Sequence, residues 1–85
     1  MKLNINGTEY RVRWQHFAEG RKKARGTDCE VFAQGELFGF GQTKLHRADA
    51  YDKEKGRRIS LSRALEQAGL SHEERQRAFM AYDAR

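Results

Sequence analysis

The chain has 85 residues, with 17 Lys and Arg against 12 Asp and Glu, one cysteine and no proline. That length is one domain spanning residues 1–85, and a hydrophobic share of 38% is enough for a thin core. Charges of both signs argue against a disordered tail, and no apolar run approaches the roughly 18 residues of a membrane span.

Residues 1–6 turn polar within three positions, unlike a signal peptide, and the lone Cys29 has no disulfide partner within the chain. A cytoplasmic location is therefore expected.

The first half reads as strands. Asn6-Gly7 is a hairpin signal, because both residues tolerate the positive φ of a type I′ turn. A turn there pairs Ile5 with Thr8 and Leu3 with Tyr10. Alternation then places Tyr10, Val12, Trp14 and His16 on one face and Arg11, Arg13 and Gln15 on the other. Residues 28–34 and 37–44 form a second expected hairpin. A Gly35-Glu36 turn pairs Ala33 with Phe38 and Val31 with Phe40, all apolar on one face. A Gln34-Gly35 turn opposes Ala33 to Glu36 and mixes the faces, so the first register is preferred.

The second half reads as helices. Asp49 is placed to cap a short turn over residues 50–54, with Gly56 as its exit. Residues 57–68 carry Leu61, Ala64, Leu65 and Ala68 at helical spacing, and Gly69 suits a left-handed stop. Ser71 and Glu74 form a capping box that opens a last helix with Ala78, Phe79 and Tyr82 along one stripe. The expected class is α+β: an antiparallel four-stranded sheet followed by two C-terminal helices packed on one face.

Chemistry is sparse in this pattern. Cys29, His16, His46 and His72 are the only soft ligands, and none has zinc-site spacing, so no metal or cofactor is expected. Alternation points Cys29 into the core beside Val31 and Ala33, where a thiol is usually inert. Asp49, Asp52 and Glu54 stand among Arg47, Lys53 and Lys55, which fits a solvated, ion-paired turn. The expectation is a protein with no catalytic site.

Surfaces carry more. The net charge is +5, and eleven of the seventeen cations are arginine, which favours forked contacts to phosphate or carboxylate. Arg11 and Arg13 project from one strand, and Arg21, Lys22, Lys23 and Arg25 crowd the loop after it. Arg57, Arg58 and Arg63 gather on the first long helix. These nine are the candidate partner-binding or nucleic-acid-binding residues, the alternative being faces neutralised by nearby acids. Phe32 and Leu37 fall on the outer sheet face as a candidate apolar docking patch, unless a loop covers them. Either outer strand could also leave an open edge, so a monomer or a homodimer is compatible with the sequence.

Residues 49–65 read D-A-Y-D-K-E-K-G-R-R-I-S-L-S-R-A-L. This stretch resembles a D-x-[FY]-x-K-x-x-G-R-[KR]-[IV]-[AS]-L-x-R-A-L pattern of small bacteriophage and prophage accessory proteins. There it follows a hairpin rich in G-x-G-x-x-x-x-H, here Gly39-Phe40-Gly41 through His46. The likeness extends loosely to residues 10–14 and 81–85, but only the seventeen-residue stretch is specific. The resemblance implies a non-enzymatic protein that binds and inhibits a host nucleic-acid-handling defence complex, such as a CRISPR effector, as anti-CRISPR proteins do. The rival expectation, from charge alone, is a small basic regulator that binds DNA or RNA directly.

Overall fold

A computed structural model describes residues 1–19, 24–45 and 52–84. Four strands, β1 (Lys2–Ile5), β2 (Thr8–Glu19), β3 (Ala24–Ala33) and β4 (Glu36–Leu45), are followed by helices α1 (Lys53–Gln67) and α2 (His72–Asp83). The strands pair antiparallel in the order β1-β2-β3-β4, so the architecture is the expected α+β sheet with two C-terminal helices.

The first hairpin follows from its turn residues. Asn6 and Gly7 both take positive φ, 53° and 85°, as a type I′ turn requires. The Asn4 side chain accepts a hydrogen bond from the Gly7 amide at 3.1 Å. Ile5 pairs with Thr8 and Leu3 with Tyr10, which sends Leu3, Ile5, Tyr10 and Val12 to one buried face.

Cys29 and Val31 on β3 continue that inner face. Leu61, Ala64 and Leu65 of α1, Leu70 after it, and Ala78 and Tyr82 of α2 close over it. Each large aliphatic side chain buried here contributes about 1.5–3 kcal/mol before conformational entropy is subtracted.

The second hairpin differs from the expected register. The turn is Gln34-Gly35, with φ of 52° and 79°, not Gly35-Glu36. Ala33 faces Glu36 rather than Phe38, Phe32 faces Leu37, and Val31 faces Gly39 rather than Phe40. A β-bulge at this point absorbs one residue of β4. The Ala33–Glu36 pair stays at the turn, and beyond the bulge Gly39, Gly41 and Thr43 face inward while Phe40 faces outward.

Phe38 and Phe40 are consequently not the core residues that alternation predicts. They are 40% and 42% exposed, and Phe38 lies against Tyr10 with ring centroids 5.5 Å apart.

Helix packing explains the preference. A Cβ on Gly39 would lie 2.4 Å from the Ala64 carbonyl oxygen, and one on Gly41 only 2.1 Å from that of Ser60. Ser60 and Ala64 of α1 and Ala68 just after it recur every four residues, presenting small side chains to these two glycines. Backbone meets backbone here, and a phenylalanine at either position would push the helix away.

The helix start also differs from expectation. Asp52, not Gly56, marks the boundary: its carboxylate accepts from the Glu54 and Lys55 amides at 3.0 and 3.3 Å. Gly56 lies within the first turns of α1 and is buried rather than serving as an exit. The expected cap at Asp49 lies outside the described residues. At the other end Gly69 (φ 83°) closes a Schellman motif, with the Leu70 amide on the Leu65 carbonyl and the Gly69 amide on that of Glu66. Ser71 and Glu74 form the expected capping box of α2.

Candidate interaction surface

Both helices lie on the inner face, so among the described residues the outer face of the sheet carries no covering element. Period-two alternation and the register give that face as rows across the strands. One row runs Lys2, Arg11, Phe32, Leu37; the next runs Arg13, Glu30, Phe40; a third runs Gln15, Asp28, Gln42; a fourth runs Phe17, Gly26, Lys44.

Leu37 is 56% exposed, Phe32 is half-buried, and Arg11 and Arg13 are exposed. The candidate patch of Phe32 and Leu37 therefore joins the candidate cations Arg11 and Arg13 on one surface, where Arg11 stands directly opposite Phe32. Phe40 belongs to the same surface, although alternation alone places it inside. Its signal in the sequence is the Gly39-Phe40-Gly41 triplet: two glycines set for a close approach send the residue between them to the other face. Phe17 also lies here, its ring over Gly26.

The charges on this face are partly matched. Lys2 and Glu9 approach to 4.0 Å, and the Gln42 amide donates to Asp28 at 2.8 Å across β3 and β4. Two hollows, of about 340 and 250 Å³, lie on either side of Arg11, and Phe32 walls both.

The helix arginines are held differently. The Arg57 guanidinium donates to Glu54 at 3.0 Å, and this hydrogen bond is the main cause of its raised pKa. Its backbone carbonyl accepts from the Trp14 indole at 3.1 Å. Arg58 makes a two-pronged bond to Asp83 at 2.6 and 3.1 Å, which raises its pKa, and stacks 5.1 Å from the Phe79 ring centre. Arg63 donates to the Gln42 carbonyl at 2.7 Å. These three join α1 to β2, β4 and α2, and each guanidinium has an intramolecular acceptor.

Arg25 is exposed at the start of β3, while Arg21, Lys22 and Lys23 lie outside the described residues. A groove of about 680 Å³ between the helices is lined by Arg58, Phe79, Met80 and Asp83, with Met80 71% exposed. Its Arg58 and Asp83 are spent on each other.

The thiol and imidazoles offer little reactivity. Cys29 is fully buried, and burial followed by the charge of Glu30 pushes its pKa up to about 12, so the thiolate nucleophile is suppressed. His16 shares a hydrogen bond with the Thr27 hydroxyl at 2.8 Å. Burial, then Arg57 and Lys53, lower its pKa from 6.5. His46 lies outside the described residues. Among the described residues no helix is long and apolar enough to cross a membrane.

No protein-family model, curated protein or solved structure matches the chain.

Proposed function

We propose that this chain is a non-enzymatic binding protein that occupies a nucleic-acid-handling assembly through the outer face of its sheet. The observation that carries this reading is the open face itself. Phe32, Leu37 and Phe40 share the outer face of the sheet with Arg11 and Arg13, and both helices pack behind it. Large aromatic side chains set next to arginines are the side chains that dominate binding hot spots. A stable fold seldom leaves several large apolar groups together in water without a use for them.

The likeness of residues 49–65 to phage accessory proteins directs the proposal to a host defence complex such as a CRISPR effector, in the bacterial cytoplasm. The physical role of that stretch agrees with such a protein without making it the contact surface. Asp52 caps α1, Gly56 is buried within it, and Arg57, Arg58 and Arg63 fasten α1 to the rest of the domain. The stretch builds the scaffold, and the sheet presents the surface.

The test is a plasmid-interference assay in cells carrying active CRISPR effectors of several types. The expected result is that the wild-type protein protects a targeted plasmid from at least one type. Protection should be lost with Arg11→Glu/Phe40→Ser and kept with Met80→Ser on the helix side. Absence of protection against every type, or full protection by the sheet variant, would overturn the proposal.

A further inference from the structure

Two strips of opposite character run side by side along the outer face. The cationic strip follows β2, where Arg11 and Arg13 point outward from alternate positions and Lys2 of β1 lies opposite Arg11. The second strip is aromatic. Phe32 lies one strand over from Arg11, and Phe40 lies two strands over from Arg13. A rise of roughly 3.3 Å per residue separates Arg11 from Arg13 by about 7 Å, and strands spaced about 4.8 Å apart put the rings about 5–10 Å to their side.

We infer that this face binds a single-stranded nucleic acid, with bases on Phe32 and Phe40 and phosphates along Arg11, Arg13 and Lys2. The inference rests on the reading of this face as the interaction surface and names what it grips.

A cationic track beside exposed rings is the arrangement that holds single strands, because every base has a face to stack while the backbone needs only charge. A duplex keeps its base faces covered and offers this surface phosphates alone. The hollows on either side of Arg11, both walled by Phe32, provide space for a splayed base on each side of that guanidinium.

The acids on the face fit the same arrangement. Glu9 is drawn to Lys2, and Asp28 accepts from Gln42. Glu30 sits between Arg13 and Phe40. Negative charge on β3 repels phosphate there and confines the backbone to the β1–β2 side. A carboxylate next to Phe40 also meets the exocyclic amino group of a stacked cytosine or adenine as a hydrogen-bond acceptor. An acidic protein surface would satisfy the arginines but would face Asp28 and Glu30 with like charge.

The test is fluorescence anisotropy with a labelled twelve-nucleotide single strand, as DNA and as RNA, against a duplex of the same length. The wild-type protein is expected to bind the single strand at least about tenfold more tightly than the duplex. Phe32→Ala/Phe40→Ala should weaken single-strand binding roughly tenfold or more. Arg11→Gln/Arg13→Gln should reduce the slope of log affinity against log salt by about 1.4, for two phosphate contacts. All four side chains lie on the outer face, and circular dichroism verifies that the variants stay folded. Equal affinity for duplex and single strand, or an unchanged affinity in the aromatic variant, would overturn the inference. If no oligonucleotide binds while the sheet variant still abolishes plasmid protection, the face binds protein, and this inference fails while the functional reading stands. If the single strand binds as expected but no plasmid is protected, the reading fails and the inference stands.

Discussion

The backbone amide of Phe40 donates a hydrogen bond to the side-chain oxygen of Gln67 at 3.1 Å. Two residues along the same strand, Arg63 donates to the Gln42 carbonyl at 2.7 Å. In an antiparallel ladder alternate residues turn their amides and carbonyls away from the neighbouring strand, and at an edge those groups face outward. β4 is such an edge, ten residues long and bearing Leu37 and Phe40, the kind of strand that recruits another. Side chains of α1 take two of its outward groups.

Removing that cover should expose the edge. In Arg63→Ala/Gln67→Ala, the Phe40 amide is expected to exchange with deuterium faster than in the wild type. Sedimentation velocity should show more self-association at the same concentration. Each lost hydrogen bond costs about 0.5–1.5 kcal/mol, so the fold should survive. Unchanged exchange at Phe40 would show that Gln67 does not guard the edge.

Gly41 lets the backbone of β4 pass close to that of α1. A methyl group there would sit 2.1 Å from the Ser60 carbonyl oxygen and 2.5 Å from the Ala64 nitrogen, both backbone atoms that cannot rotate aside. Gly41→Ala is expected to destabilise the protein by about 1–3 kcal/mol, the usual cost of overpacking. Urea unfolding measures it, and a wild-type midpoint would contradict this packing.

Acid should weaken the fold first through His16. Burial, then Arg57 and Lys53, hold its folded pKa below 6.5, so the unfolded chain takes up a proton before the folded one does. The associated stability is complete above about 6.5 and is lost as pH falls through the depressed value. The urea midpoint is expected to fall between about pH 7 and pH 5 in the wild type and less in His16→Gln. Glu74 is held below 4.5, chiefly by the Ser71 backbone, so its loss comes at lower pH. A pH dependence identical in both proteins would contradict the assignment.

Cys29 should behave as a sealed thiol. With its pKa pushed up to about 12 and no exposed surface, it should resist alkylation at mildly alkaline pH until the protein opens. Labelling should accelerate with urea in step with unfolding. Rapid labelling of the native protein would show β3 to be open where the structure has it packed.

Local chemistry made parts of this fold legible in the sequence. Asn6-Gly7 has few alternatives to a type I′ turn, Gly69 is suited to a left-handed stop, and Ser71 with Glu74 satisfies the first amides of α2 within one turn. The bulge at Phe38 was not legible. It trades one residue of alternation for contact between α1 and the backbone of β4, and that contact depends on Ser60 and Ala64, some twenty residues downstream. The candidate surface shows the same divide. Alternation placed Arg11, Arg13, Phe32 and Leu37 outside, as they are, but Phe40 is outside only because the bulge puts it there. Counting charges found Arg58 without revealing its partner Asp83, 25 residues further on.

The most direct test of the outer face as a single-strand-binding surface is an amide chemical-shift map. The labelled protein would be titrated with the twelve-nucleotide single strand. The account predicts shifts concentrated at Lys2, Arg11, Arg13, Phe32, Leu37 and Phe40, with α2 almost unmoved. Shifts centred on Phe79 and Met80 in the groove between the helices, or none across the sheet, would contradict it.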